Sequence, residues 1–276
     1  MSETDDDPRS VDDGARIRIG LIVPSSNTTA EPEFRRALPE GVTVHGARMV
    51  LESVTVDELD AMSEGAVRAA ELLGHADVDA VAYACTTGSL LHGPGFDVEL
   101  EERVSAAAGA PAVATARSVV RALEALDAER IAVATPYTAD LDEKERAFLE
   151  AAGFGVVALE GLGIEANVEI GALTPADARE QVRTLVGDEA LAPGDDVDAV
   201  FVSCTNYTSL AAVDELEADL GVPVVTSNGA TLWDVLRVLA ADGADAPETG
   251  TGSGLCGTLA VDGSGALFER ASPGRR

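Results

Sequence analysis

Apolar residues along the chain gather in short runs that end in proline, glycine or hydroxyl residues, and stretches of helical spacing separate the runs. Runs of roughly four to eight apolar residues bounded in this way predict strands buried in a parallel sheet. The first run is Ile17 to Val23, broken by Pro24-Ser25-Ser26-Asn27-Thr28-Thr29. A helix is predicted from about Glu31, a strand over Val42 to Val50, and a helix over Thr55 to Gly74, with Thr55 and Glu58 at capping-box spacing. A strand from Val78 to Ala84 follows and ends in Cys85-Thr86. Beyond it the pattern predicts a helix over Glu99 to Ala108, a strand over Ala112 to Thr115 and a helix over Ser118 to Leu126. Strand and helix alternate throughout, so the expected fold class is α/β, with mainly parallel sheets flanked by helices.

The cycle then restarts. Arg130 to Tyr137 mirrors the first strand and its proline break, and Gly109 to Thr115 is answered by Gly221 to Ser227. Pro24 and Pro136 are 112 residues apart, as are Pro111 and Pro223. The phrase Val78 to Thr86 also returns, as Val197 to Thr205, and each copy ends in Cys-Thr. The cysteines are 119 apart, which places about seven extra residues in the Gly/Asp/Pro-rich stretch Gly187 to Asp196. A duplicated fold with two pseudo-symmetric lobes follows. We expect residues 16–117 plus 228–276 to form lobe 1, 118–227 to form lobe 2, and the patternless acidic arm 1–15 to be disordered.

A formal charge of −30, from 49 acidic and 19 basic residues, argues against nucleic acid as a partner. The acids lie on helical stretches such as Asp140 to Glu150 and Asp214 to Asp219, not in the arm alone. So large an excess, with few lysines, fits a halophilic cytoplasm in which salt screens carboxylate repulsion. Residues 1–15 lack the apolar core of a signal peptide, and no apolar stretch of membrane-spanning length is present. Three widely spaced cysteines argue for a reducing compartment. A cytoplasmic protein without membrane contact is expected.

In open α/β folds chemistry sits at the carboxyl ends of the strands, where Cys85 and Cys204 both fall. A thiol there, followed by the start of a helix, can be stabilised as thiolate by backbone N–H groups and the helix dipole. One such cysteine alone reads as core packing; the symmetric pair points to a shared cleft. Cys256, in a Gly-rich tail without a counterpart, keeps the packing reading. Ser25-Ser26-Asn27, Thr86-Thr87, Tyr137 and Thr205-Asn206 add neutral donors at the same strand ends, suited to a small anionic substrate. Gly250 to Gly254 follows no strand and is no dinucleotide fingerprint, and a Gly-Lys-Ser/Thr phosphate loop is absent from the sequence. His45, His75 and His92 share no ligand spacing with each other or with the cysteines, so no metal is expected; His92 reads as a loop residue.

With these residues in place, the stretch from about Arg16 to Leu239 resembles the aspartate/glutamate racemase superfamily, and within it the maleate cis-trans isomerases. The similarity is carried by Val23 to Thr28, Cys85-Thr86, Thr135-Pro136-Tyr137, Gly163 to Asn167, Ser203 to Asn206 and Gly221 to Asn228, with a tail match at Gly263 to Phe268. It implies two lobes with the site in the cleft between them and no cofactor. It further implies Cys85 as the nucleophile that adds to a substrate double bond, and Cys204 as proton donor and acceptor on the opposite side. Asn27, Tyr137 and Asn167 match positions that hold the substrate carboxylates, with Ser26, Thr86, Thr205 and Asn206 around them. Racemases of the superfamily carry an Asp-Ser-Gly-like turn where this chain has Pro24-Ser25-Ser26-Asn27, which lowers the amino-acid or hydantoin-type racemase alternative. Arylmalonate decarboxylases are also similar but lack the first cysteine, so Cys85 discriminates against them. A two-lobed binding protein for small acids is a third reading, opposed by the retained thiols. The expected partner is a small unsaturated dicarboxylate such as maleate, and a homo-oligomer is compatible with the fold.

Overall fold

The computed structural model describes residues 17–38, 41–187 and 196–241. Strands β1 (Ile17–Pro24), β2 (Val42–Met49), β3 (Ala80–Tyr83) and β4 (Ala112–Ala114) form one parallel sheet in the order β2-β1-β3-β4. Strands β5 (Arg130–Thr135), β6 (Gly155–Gly161), β7 (Ala199–Val202) and β8 (Val224–Thr226) form a second, in the order β6-β5-β7-β8. The two orders are the same path run twice, as the repeat predicts. The arm 1–15, residues 188–195, Cys256 and the Gly263 to Phe268 match lie outside the described residues.

The central strands of both sheets are covered on both faces, which is why they are apolar at successive positions. Alternate residues of β1 separate accordingly. Ile17, Ile19, Leu21 and Val23 enter a layer shared with Ile131 and Val133 of β5, whereas Ile22 faces the outer helices. Helices α1 (Ala30–Ala37), α5 (Thr115–Ala125), α6 (Ala139–Ala151) and α10 (Ser227–Ala241) contribute to the shared layer. Helices α2 (Val56–Gly74), α4 (Phe96–Ala108), α8 (Pro175–Leu185) and α9 (Val213–Leu220) cover the outer faces. Short helices α3 (Thr86–Leu90) and α7 (Asn167–Ile170) and a 3-10 turn (Leu210–Ala212) complete the described elements.

Two helix starts differ from expectation by three residues. Helix α4 begins at Phe96, three residues early, because Gly95 at φ 94° turns the chain and its N–H donates to Asp97 Oδ1 at 3.1 Å. Helix α5 begins at Thr115, directly off the tip of β4, where the Thr115 hydroxyl donates to Tyr83 O at 3.1 Å. The strand-to-helix step is thus made without a linker, which the composition of this stretch does not signal.

Helices α5 and α10 pack against each other, and α10 also lies on β3 and β4 of the first sheet. Asp234 of α10 is fully buried at this junction and accepts from Ser118 Oγ (3.0 Å), Arg121 Nη1 (2.6 Å) and Arg237 Nε (2.8 Å). A buried carboxylate persists when it is paired in this way. Among the described residues no helix is long and apolar enough to cross a membrane.

The outer layer contains one especially close approach. A Cβ on Gly74, at the end of α2, would stand 2.6 Å from the carbonyl oxygen of Ala108 in α4. Backbone cannot yield as a side-chain tip can, so Gly74→Ala should cost about 1–3 kcal/mol. Denaturant unfolding of the variant checks this; unchanged stability would show that α2 and α4 can separate freely.

Candidate active site

Each cysteine ends a strand in one half, and the two loops that follow meet at one cavity. Cys85 comes one residue after Ala84, whose N–H continues the ladder to Ile22 O (2.8 Å), and caps the start of α3. Cys204 follows Ser203, whose N–H donates to Ala134 O at 2.8 Å. Here the halves diverge. The expected helix start after the thiol occurs at Cys85, but Cys204 leads into a turn in which Tyr207 N–H donates to Cys204 O (3.1 Å). Cys204 itself has φ 89°, a left-handed conformation that costs a non-glycine residue of order 1–3 kcal/mol. The turn is held from outside: Cys204 N–H donates to Ser227 Oγ (3.0 Å), and Asn206 N–H points at Cys204 Sγ (3.4 Å).

Polar groups of one half are satisfied by the other. Asn27 Nδ2 donates to Thr205 Oγ1 (3.2 Å), and Thr205 Oγ1 donates to Ala84 O (3.1 Å). Thr28 N–H donates to Asn206 Oδ1 (2.8 Å), Thr29 Oγ1 to Asn206 O (2.9 Å) and Thr86 Oγ1 to Ser227 Oγ (2.8 Å). Asn27 Oδ1 meanwhile accepts from the N–H groups of Thr29 and Ala30 (3.0 Å each), which fixes its amide and caps α1. One of its two Nδ2 hydrogens is left for the cavity.

The cavity is small, with about 10 Å³ in which the centre of a water-sized sphere can sit. Of the sequence-predicted residues, Cys85, Cys204, Asn27, Thr86, Tyr137 and Asn167 line it, as do Thr205 and Asn206. Ser26 stands behind this wall, where its hydroxyl accepts from Asn167 Nδ2 at 2.8 Å. Leu51 and Val54, in the link between β2 and α2, also line the cavity and were not anticipated, since apolar residues in a linker carry no periodic signal. The link is latched to the second half: Val54 N–H donates to Glu165 O (2.8 Å), Asn167 N–H to Glu52 O (3.3 Å), and Ser53 bridges Ala166.

Burial pushes the Cys85 thiol up to about 11 and the Cys204 thiol up to about 12. The Gly88 N–H and the Thr87 hydroxyl work the other way at Cys85, as expected for donors at a helix start, but desolvation outweighs them. Tyr137 and the Asn206 N–H do the same at Cys204. Burial also raises Tyr137 well above the ordinary phenol value. Among the described residues no cluster of three His, Cys, Asp or Glu side chains could hold a metal ion. The arrangement offers two buried free thiols on one cavity among neutral hydrogen-bond donors.

A duplicated α/β protein with one buried thiol from each half at a common cavity is the class that this geometry defines. Residues 19–252 match the arylmalonate decarboxylase family, and the chain belongs to that family. It is 36% identical over 235 residues to maleate isomerase of Pseudomonas putida, covering 80% of this chain and 91% of that one. It is 33% identical over 230 residues to arylmalonate decarboxylase of Bordetella bronchiseptica, covering 83% and 92%. Among solved structures it resembles a cysteine-to-serine variant of Nocardia farcinica maleate cis-trans isomerase with a covalently bound succinylcysteine intermediate. That match has a TM-score of 0.74 at 31% identity and covers 81% of this chain and 92% of the other.

One supporting residue gave no sequence signal. Glu33, on a polar helix that reads as solvent-facing, is buried and accepts from Leu210 N–H (3.1 Å) and Asn228 Nδ2 (2.7 Å). Asn228 Nδ2 also donates to Thr205 O (3.0 Å), so Glu33 braces the turn that carries Cys204. Burial pushes the Glu33 carboxyl from 4.5 up to about 7. A carboxyl with a raised value stabilises the fold while protonated: the contribution is complete below 4.5 and is lost as pH rises through about 7. The melting temperature should therefore fall less between about pH 5 and about pH 8 in Glu33→Gln than in the wild type. Parallel pH profiles in thermal melts would assign the loss to other groups.

Proposed function

We propose that this chain is a cofactor-independent cis-trans isomerase of a small unsaturated dicarboxylate, converting maleate to fumarate. The observation that carries the reading is the pair Cys85 and Cys204, one from each half, on a single cavity of neutral donors. The named relatives, maleate isomerases among them, support it. Once Cys85 has lost its proton to solvent, its sulfur adds as thiolate to one alkene carbon, and the π electrons take the proton of the Cys204 thiol at the adjacent carbon. The C=C bond becomes a single bond and a succinyl thioether forms on Cys85. Rotation about that bond follows. The Cys204 thiolate then removes a proton from the same carbon, the C=C bond re-forms trans, and Cys85 leaves as thiolate. Atoms and charge balance, and no redox partner is needed. Asn27, Tyr137 and Asn167 hold the two carboxylates, with Thr86, Thr205 and Asn206 as further wall donors and Ser26 behind Asn167. Neutral donors suit this task because they do not trap the product by fixed charge. A thiol that burial keeps protonated is suited to the proton-donor role of Cys204.

Proton NMR of the protein in high salt with maleate, without added cofactor, tests the reading: the fumarate singlet should appear. Cys85→Ala should abolish turnover while the fold persists, and Cys204→Ser should slow it about a hundredfold or more. No conversion of maleate would favour decarboxylation, the activity named in the family description, and an arylmalonate in the same assay would then release carbon dioxide.

We also infer a salt-rich cytoplasm as the working environment, from the formal charge of −30 and the screening that such a charge needs. The melting temperature should fall as potassium chloride is diluted; a melt insensitive to salt would overturn this inference.

A further inference from the structure

Glu145, on α6, lies 112 residues after Glu33 and holds the corresponding place in the second half. It is buried, yet its partner is of a different kind. Oε1 lies 2.6 Å from the hydroxyl of Ser203, the residue before Cys204. The same Ser203 Oγ lies 3.5 Å from the Tyr137 hydroxyl, and Tyr137 lines the cavity together with Cys204. Glu145 Oε2 is buried without a hydrogen-bond partner among the described residues. A carboxyl group and two hydroxyls thus form one chain that ends at the cavity, whose lining includes the Cys204 thiol.

Each hydroxyl in that chain has one hydrogen, so its direction is set from the end. An ionised Glu145 can only accept. Ser203 then donates to Glu145, Tyr137 donates back to Ser203, and the Tyr137 hydrogen is turned away from the cavity. A protonated Glu145 donates to Ser203, Ser203 donates to Tyr137, and the Tyr137 hydrogen is released toward Cys204 Sγ or a bound carboxylate. Glu33 has no such choice, because its partners are N–H donors.

We propose that Glu145 is a positioning residue whose proton sets the direction of the Ser203–Tyr137 chain and so turns the Tyr137 hydrogen into the cavity. In the isomerase reading, on which this inference rests, that hydrogen stabilises the Cys204 thiolate left when its proton has gone to carbon. Burial pushes the Glu145 carboxyl up to about 8, so at neutral pH the chain points at the cavity. The ionisable groups around it are Asp142 on the same helix, which opposes its ionisation, Tyr137, and Cys204. Helix α3, which packs on α6, brings Cys85 at its start, and β6, which α6 covers, carries Glu160.

The test is the rate at which iodoacetamide alkylates Cys204, read by peptide mass spectrometry on the full chain in high salt, in a Cys85→Ser background. Gln carries no charge, and its amide keeps an N–H donor at every pH. The rate with Glu145→Gln, relative to Glu145, should be near one at about pH 6 and should rise to about tenfold at about pH 10, which corresponds to one pKa unit at Cys204. With Ser203→Ala added, the ratio should fall back toward one. A ratio independent of pH would overturn the proposal, and so would a pH-dependent ratio that survives Ser203→Ala, since that would be the bare charge acting through space. If Glu145→Gln does not fold, Ser203→Ala alone should remove the break near pH 8 from the alkylation profile, and a retained break would overturn the proposal. Alkylation needs no turnover, so a protein that leaves maleate unchanged would refute the isomerase reading without deciding this one.

Discussion

Buried main-chain and amide groups must find partners, and around this cavity they find them across the duplication. The Asn27 turn and the Cys204 turn lie 177 residues apart in sequence, yet each completes the other: Asn27 to Thr205, Thr205 to Ala84, Thr28 and Thr29 to Asn206. Neither turn would be satisfied in an isolated half. The two halves are therefore registered by the site itself, and the strained conformation of Cys204 is held by Ser227 and Asn206. The α5–α10 junction, with Asp234 paired to Arg121 and Arg237, adds a second set of contacts beside the shared layer.

The cost of that arrangement is desolvation. Closing two thiols, a phenol and two glutamates into one region raises the proton affinity of all five. Positive charge enters only weakly among the described residues: Arg36 opposes the rise at Glu33 but is outweighed by burial, and other arginines pair on the outer faces and at the α5–α10 junction. At the two thiols the groups that oppose the rise are hydrogen-bond donors: the Gly88 N–H and Thr87 at Cys85, Tyr137 and the Asn206 N–H at Cys204. This suits a reaction in which negative charge moves between two sulfurs and a substrate and then returns, because a fixed cation would favour one of those positions.

Within the arylmalonate decarboxylase family the scaffold carries more than one named activity. Two-sided proton and sulfur chemistry would need a thiol from each half. Here both halves bring one to the same cavity, and the loop pairing that joins them also brings the link Leu51 to Val54 to it.

The sequence by itself determined the α/β class, the duplication and the strand ends that bear chemistry. Apolar runs are the signature of strands covered on both faces, and the repeat of Cys-Thr at the end of such runs marks a position as well as an element. Cys85, Cys204, Asn27, Tyr137 and Asn167 were legible on those grounds or by resemblance. Only the tertiary structure decided that Ser26 supports the wall, that Cys204 leads into a turn instead of a helix, and that Glu33 and Glu145 are buried behind the site. A glutamate on an amphipathic helix has the same local pattern whether its face meets water or the other half of the molecule. Which of the two it meets depends on contacts with Ser203, Leu210 and Asn228, residues tens to hundreds of positions away, and no local window contains them.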